Sequence, residues 1–200
     1  MIFKRLNIAI FKSSRGFTLL ETIIALVVIT AAVVGPVYLI TKGIFSSAFS
    51  RNKLIANNLA QEALEAVRVV RENNVICSFL KEDASWSWLQ DSDGAGSLTG
   101  SNLKADVTQI DTISCAGKSL PNPRFSANCN EFLKISAGGQ YGYSAGSDTI
   151  FQRCVDVTQP GSAEGVIPAS DIADVTVTLT WNERGLDKST VVKERIYNWK

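Results

Sequence analysis

The pattern of apolar and polar residues changes along the chain, and each segment predicts a different element. Residues 17–40 form an apolar run with a single charge, Glu21. Beyond Lys42 an apolar stripe recurs at spacings of three and four, typical of a helix with one buried face. From about residue 75 short stretches alternate, which predicts β-strands with long loops. The sequence therefore predicts an α+β fold, one long N-terminal helix packed on a C-terminal antiparallel sheet.

The helix is predicted to run from Phe17 to about Glu72 and to end at Asn73 and Asn74. Its first half, residues 17–41, contains an apolar run about 36 Å long as a helix, enough to span a bilayer. Its second half, residues 42–74, is amphipathic, with a charged outer face. The predicted buried stripe consists of Ala56, Leu59, Ala60, Ala63, Leu64, Val67 and Val70.

Gly35 and Pro36 interrupt the apolar run. Pro36 has no N–H to donate to the Ala32 carbonyl, so we expect a kink or a local loosening of the helix there. Transmembrane helices also tolerate such pairs as a harmless bend, and the sequence leaves both interpretations open.

Residues 75–200 are predicted to form a globular, β-rich head. Residues 151–157 and 175–181 alternate, and the second stretch places one apolar set on a single face: Val175, Val177, Leu179 and Trp181. Residues 182–185 supply turn chemistry, and residues 189–197 return as a strand, which predicts a hairpin. Residues 131–136 and 103–110 are candidate additional strands.

Composition narrows the functional classes. The chain has 200 residues, 46% of them apolar and 20% charged, as expected of one folded domain or one domain with an appendage. It contains no His, which excludes Ser-His-Asp and Cys-His triads and His-based zinc sites. No phosphate-loop motif or nucleophile with a partner base is present, so the sequence predicts neither an enzyme nor a cofactor.

Charge is distributed unevenly. The first 16 residues contain four of the 20 basic residues and no acidic one, which leaves 16 basic against 19 acidic residues in the remainder. The basic excess is local, so we predict no nucleic-acid surface. A basic leader before a membrane-spanning run places the leader in the cytoplasm and the head across the membrane.

Four cysteines lie in the C-terminal part of the chain: Cys77, Cys115, Cys129 and Cys154. They form no C-x-x-C pair, so a zinc ribbon or a thioredoxin-like site is not indicated. An even count in an exported domain favours two disulfides, with three connectivities possible and free buried thiols as the alternative. Asp91 and Asp93 invite a calcium interpretation, but the EF-hand spacing fails after Gly94, and we predict no metal.

Glu21 is the residue that a plain membrane anchor or a cleaved secretory signal leaves unexplained. A secretory signal should also have a shorter apolar region and an A-x-A-like cleavage site. An unpaired carboxylate in an apolar span costs about 2.5–3.5 kcal/mol. Cleavage after Gly16 would create an α-amine on Phe17, one helical turn from Glu21, and would supply the missing cation.

The stretch Arg15-Gly16-Phe17-Thr18-Leu19-Leu20-Glu21 resembles the class III signal of type IV pilins and type II secretion pseudopilins. The resemblance implies that residues 1–16 are a leader, which a prepilin peptidase removes between Gly16 and Phe17 before it methylates the new N-terminus. It also implies that Glu21 recruits the subunit by neutralising a neighbouring subunit's terminal amine. For Gly35 and Pro36 it implies a segment that loosens on moving from bilayer to filament.

Two further segments, LAQEALEAVRVVRENN and the C-terminal hairpin, resemble PilV-type minor pilins. The resemblance implies a structural minor pilin of a type IV pilus, in contact with other pilin or pseudopilin subunits, the inner-membrane assembly platform and, before assembly, membrane lipid. The protein would then move from the cytoplasmic membrane to the cell surface. A minor pseudopilin of a secretion or DNA-uptake system is the alternative, as is an adhesin binding through loops in residues 77–150. The resemblance does not cover the region from about residue 77 to residue 150. In that region, Trp86 and Trp88 are expected to anchor in the core or against the helix.

Overall fold

The computed structural model describes residues 16–81, 86–91, 93, 94 and 96–198. The chain divides into two compact units, residues 1–48 and residues 49–200. Among the described residues, the order of elements is one helix followed by seven strands, with a short 3-10 turn at Ala169–Asp171 before the sixth strand.

The first unit contains the beginning of helix α1, which spans Leu19–Lys81. Every described residue from 16 to 48 is exposed. The helix is long and apolar enough to cross a membrane, with a mean hydropathy of 2.7 in its most apolar window and none of that window buried. Since exposed apolar surface of this extent is unfavourable in water, the segment requires an apolar environment outside the chain.

The second unit contains the remainder of α1 and the sheet. All seven residues of the predicted apolar stripe are buried, from Ala56 to Val70, so the predicted packing face is confirmed. The predicted end of the helix is wrong, because α1 continues past Asn74 to Lys81. The side chain of Asn73 donates to the Pro121 carbonyl, 2.9 Å away, and that of Asn74 to the Gln90 carbonyl, also 2.9 Å away. Since these amides bond to the head, they do not compete for the helix backbone and terminate it.

All strand pairs in the sheet are antiparallel. The longest strand, β1, forms a hairpin with β2, and β5 lies at the centre of the sheet. One edge of β5 pairs along its length with β6, which pairs with β7; its other edge pairs with β3 at one end and β1 at the other. The strands are β1 (Gly100–Cys115), β2 (Lys118–Ala127), β3 (Phe132–Ile135), β4 (Tyr141–Gly142), β5 (Ser147–Thr158), β6 (Ile172–Glu183) and β7 (Leu186–Tyr197).

The core lies between the stripe of α1 and the inner faces of β5 and β6. The alternation predicted for residues 175–181 is confirmed, since Val175, Val177, Leu179 and Trp181 are buried. Trp181 packs against Phe151 of β5 and Phe49 of α1, with ring centroids 6.1 Å and 6.4 Å apart. These contacts show the α+β architecture that the sequence predicted, with the helix segment from residue 49 packed on the antiparallel sheet.

The hairpin of β6 and β7 is confirmed as predicted. Its loop consists of Arg184 and Gly185, with φ of 57° and 77°. Two consecutive positive φ values define the type I′ turn, whose twist suits a two-residue hairpin.

In the described part of the region from residue 77 to 150, where long loops were expected, lie strands β1 to β4 and the start of β5. The strands expected at 103–110 and 131–136 are confirmed, as part of β1 and as β3. The sequence does not predict the second strand of the hairpin, because β2 contains Pro121 and Pro123, which an edge strand tolerates and a central strand does not. The pairing of β1 with β2 also shifts register between Asp106 and Ile110, which interrupts the alternation of β1.

Candidate functional site

The candidate processing site lies at the start of α1. Gly16 and Phe17 precede the helix and are exposed, Phe17 by 78%. A Cβ placed on Gly16 would meet no atom within 4 Å, and its φ does not require glycine. The described residues therefore give no structural reason for glycine at position 16, and recognition by another protein would explain it. The remainder of the predicted leader, residues 1–15, lies outside the described residues.

Glu21 occupies the third position of α1. Its backbone N–H donates to the Thr18 hydroxyl, 3.2 Å away, and the Thr22 N–H donates to the Thr18 carbonyl, also 3.2 Å away. Thr18 thus caps the helix, and the spacing Thr18-x-x-Glu21 is that of a capping box. A carboxylate in the first helical turn is also favoured by the helix dipole. Glu21 is exposed, so it is accessible to a cation from outside the chain.

Helix α1 is continuous through Gly35 and Pro36. A Cβ on Gly35 would meet no atom within 4 Å, so packing within the chain does not require glycine there. The loosening of this segment in a filament stays a prediction.

The head brings the four cysteines together in two disulfides, Cys77–Cys115 and Cys129–Cys154, with Cα atoms 5.2 Å and 5.1 Å apart. The first joins the last turns of α1 to the end of β1, and the second joins the segment between β2 and β3 to β5. The prediction of two disulfides is therefore confirmed, and the structure selects one of the three connectivities.

The tryptophan pair lies as expected against the core and the helix. Trp88 is buried and donates its indole N–H to the Ser170 carbonyl, 2.9 Å away. Trp86 is half-buried beside the Cys77–Cys115 disulfide, with the Lys81 ammonium 3.6 Å above the centre of its ring. Asp91 and Gly94 belong to a turn, in which the Gly94 N–H donates to the Asp91 carbonyl, 3.0 Å away. Within the described part of the chain, no three His, Cys, Asp or Glu side chains are grouped to hold a metal.

Arg153 is the polar residue that sequence reasoning missed. It lies on β5 with no exposed surface, and its guanidinium donates to the Leu59 carbonyl (3.1 Å), the Glu62 carboxylate (2.8 Å) and the Ala105 carbonyl. The Tyr143 hydroxyl donates to the Arg153 carbonyl, 3.2 Å away. One side chain thus joins α1, β1 and β5. The sequence indicates a buried Arg153 through the alternation of residues 151–157, because that alternation places its charge on the same face as Phe151 and Val155.

Charged side chains on the outer part of the head form local pairs. The Arg195 guanidinium donates to Asp174 (2.6 Å) and Glu164 (2.9 Å). The hydrogen bonds from Arg195 lower the pKa of the Asp174 carboxyl and raise that of Arg195. Arg68 of α1 forms an ion pair with Glu194 of β7, and this contact raises the pKa of Arg68. Burial raises the pKa of the Tyr143 hydroxyl.

Taken together, the fold and the N-terminal geometry define a class: a β-rich, disulfide-bonded head carried by a helix whose exposed apolar part can cross a membrane. The family model of the prokaryotic N-terminal methylation motif matches residues 11–35, which include Gly16, Phe17 and Glu21. The chain therefore carries a type IV pilin-like class III signal, of the kind found at the start of pilin and pseudopilin precursors.

This motif implies processing by a prepilin peptidase and assembly with other pilin subunits. The apolar helix near the N-terminus, together with the motif, fits a single-pass, membrane-anchored pilin. Comparison with curated proteins and with solved structures gives no significant match.

Proposed function

We propose that the protein is a structural minor pilin, cut between Gly16 and Phe17, N-methylated on Phe17 and assembled into a type IV pilus. The observation that carries the proposal is the exposed apolar segment of α1 placed directly after an exposed Gly16-Phe17 pair. In the membrane, lipid would cover this segment before assembly, and in the filament the helices of neighbouring subunits would replace the lipid. The resemblance of two further segments to PilV-type minor pilins supports the minor-subunit part of this proposal.

Glu21 is proposed to neutralise the terminal amine of an incoming or preceding subunit. A carboxylate in an apolar filament core requires a cation, and within the described residues the apolar part of α1 up to Ile40 offers no Lys or Arg. The methylated amine of Phe17 on another subunit supplies that charge. The helix cap is separate from this role, since the Thr18 hydroxyl accepts from the backbone N–H of Glu21 and does not use its carboxylate.

The proposal is tested by the N-terminal mass of the protein purified from its own membranes and pili. We expect a chain that begins at methylated Phe17, and we expect Gly16→Ala to leave most of it uncut. An intact Met1, or an N-terminus in the region of Phe49, would contradict the proposal.

Glu21 is tested with two matched variants. Glu21→Gln preserves the capping box, because glutamine also suits that position, but removes the charge. If Glu21 acts through its charge, Glu21→Gln and Glu21→Ala are both processed and both are lost from pili. Assembly of Glu21→Gln at the wild-type level would show that the charge of Glu21 is not required for assembly.

A further inference from the structure

A polar cleft of about 310 Å³ opens on the head beside a bulge in β1. Asp106 and Ile110 of β1 pair with the adjacent residues Arg124 and Pro123 of β2, so residues 107–109 are inserted between the two pairs. Bulges of this kind reorient side chains and are frequent beside binding sites. The polar side chains that line the cleft include Lys104, Asp106, Arg124, Ser126, Glu131 and Ser144.

Asp106 places a buried carboxylate in this cleft. The residue is 4% exposed, and its Oδ1 accepts the N–H and the O–H of Thr108, 3.0 Å and 2.6 Å away. Among the described residues, Oδ2 accepts one hydrogen bond, which comes from the Tyr143 N–H at the long distance of 3.4 Å. Since a carboxylate has about four acceptor positions, Oδ2 retains capacity for a donor that enters from the cleft.

Gly142 allows β4 to lie close to this bulge. A Cβ at position 142 would lie 2.8 Å from the Cγ2 of Thr108 and 3.2 Å from the Oδ1 of Asp106. A side chain there would therefore displace either the bulge or β4. The close approach brings the N–H of Tyr143, the next residue, to the Asp106 carboxylate, so glycine at 142 helps to form the cleft.

Arg124 and Lys104 supply hydrogen-bond donors beside the carboxylate. Arg124 donates from Nε and Nη2 to Asp111, 2.9 Å and 2.6 Å away, and from Nη1 to Gln109. A guanidinium has five N–H groups, so one on each terminal nitrogen is left for a ligand. Lys104 donates one of its three N–H groups to Glu131, 2.9 Å away.

The balance of charges favours a neutral ligand. Two cations and two carboxylates line the cleft, Lys104 and Arg124 with Asp106 and Glu131. Lys104 is already paired with Glu131, and Arg124 with Asp111. An anion or a zwitterion would gain charge contacts with these cations only by breaking the existing pairs. A neutral ligand that both donates and accepts can instead use the remaining N–H groups and the Asp106 oxygen.

Adjacent hydroxyl groups of a saccharide meet this requirement. Each hydroxyl has one O–H donor and two lone pairs, so one can donate to Asp106 while its neighbour accepts from Arg124. A protein partner would require an apolar centre to its interface. The ring of Tyr143 offers little such surface, because the residue is 7% exposed and the Lys104 ammonium lies 5.3 Å from the ring centre. The volume of the cleft is near the lower end for small-ligand sites and suits a short saccharide.

We propose that this cleft binds a neutral saccharide through adjacent hydroxyl groups, with Asp106 as acceptor and Arg124 as donor. The cleft lies within residues 77–150, where the sequence left the binding surface of an adhesin as an alternative. The inference goes beyond a structural role and does not depend on assembly into a pilus, because every group that it uses belongs to the head.

The test is a titration of the full-length protein, in a detergent without a sugar headgroup, followed by amide chemical shifts. The neutral probes are maltotriose, cellotriose and mannotriose, and the charged probes of equal length are trigalacturonate and triglucosamine. We expect at least one neutral trisaccharide to shift the amides of Gln109, Ser126 and Ser144 saturably and to bind more tightly than either charged probe. Its permethylated form accepts but cannot donate, so we expect it to bind at least about tenfold more weakly.

Two arginine variants form a matched pair. Arg124 and Arg195 each form an ion pair with an aspartate, and their side chains are 48% and 41% exposed, but Arg195 does not line the cleft. We expect Arg124→Ala to weaken binding of the neutral trisaccharide about tenfold and Arg195→Ala to leave it unchanged.

Asp106 is tested by Asp106→Asn, which retains one oxygen for Thr108 but replaces the Oδ2 acceptor by an amide. We expect this variant to lose binding. Because Asp106 also holds the bulge, Ser144→Leu serves if Asp106→Asn unfolds: Ser144 is exposed, so a larger side chain there fills the cleft without disturbing the buried bonds.

The proposal is wrong if none of the three neutral trisaccharides shifts these amides, or if the permethylated form binds as tightly as its parent. Tighter binding of trigalacturonate, triglucosamine or the zwitterion glycylglycine would contradict the neutral class, and equal binding by Arg124→Ala and wild type would contradict the site. Failure of the proposed function is distinguishable, since it would appear as an intact N-terminus by mass while the titration still reports on the cleft.

Discussion

Replacement of Arg153 by alanine is predicted to destabilise the head strongly. The substitution removes three donated hydrogen bonds and leaves the Leu59 and Ala105 carbonyls without this donor in the interior. Glu62, whose side chain is 38% exposed, can regain water, so the main penalties are the orphaned carbonyls and the volume left by a fully buried side chain. Loss of one partner of a buried pair costs about 3–5 kcal/mol.

The assay is urea-induced unfolding of the processed, full-length protein in detergent, followed by fluorescence of the buried Trp88 and Trp181. For a head of this size, a loss of about 3–5 kcal/mol in the free energy of unfolding corresponds to a decrease in Tm of about 6–20 °C. Arg153→Met retains the apolar length of the side chain but donates no hydrogen bond, so we expect an intermediate loss of about 1–3 kcal/mol. Arg124→Ala is the control, because Arg124 pairs with Asp111 at the surface, where water replaces a lost partner.

A cost of less than about 1 kcal/mol for Arg153→Ala would refute this reasoning. It would mean that the bonds between α1, β1 and β5 contribute no more to stability than a surface contact. A loss for Arg153→Met as large as that for Arg153→Ala would assign the whole effect to hydrogen bonding and none to packing.

Two further predictions concern the stability of the head. Removal of the Cys77–Cys115 disulfide by a double serine variant should lower the free energy of unfolding by about 2–5 kcal/mol. Removal of Cys129–Cys154 should lower it by a few tenths of a kcal/mol less, because this disulfide closes a loop of 25 residues and the first closes one of 38. Urea midpoints measured without reductant check both values, and equal midpoints for wild type and variants would contradict them. Since Arg195 lowers the pKa of Asp174 below 3.8, ionised Asp174 stabilises the fold above that pH, and this contribution is lost as the pH falls through its folded pKa. The urea midpoint should therefore decrease below about pH 4, and less so in Asp174→Asn; an identical pH profile for the variant would show that the pair contributes nothing.

The sequence by itself determined the elements whose signals are local. The methylation motif, the apolar span and the stripe of α1 depend on identity or spacing within a few turns, so they could be identified without knowledge of the fold. The hairpin of β6 and β7 was predictable for the same reason, since alternation and turn residues are adjacent in the chain. Periodicity also identified the buried face of β6, because alternate residues of a strand face opposite sides.

Tertiary structure decided the features that join distant segments. The two asparagines at positions 73 and 74 favoured a helix end, but their side chains bond to the head and α1 continues to Lys81. The prolines of β2 concealed a strand, which pairing with β1 nevertheless stabilises. In both cases a local preference of about 1 kcal/mol or less is outweighed by several long-range contacts.

The disulfide connectivity and the role of Arg153 belong to the same category. Four cysteines allow three pairings, and only the positions of α1, β1 and β5 in space select one of them. Arginine in an alternating strand does not reveal its acceptors, which are about 50 to 90 residues away in the chain. Which distant backbone groups meet depends on the order of strands and the placement of the helix, and these follow from burial of the whole core and not from any single segment.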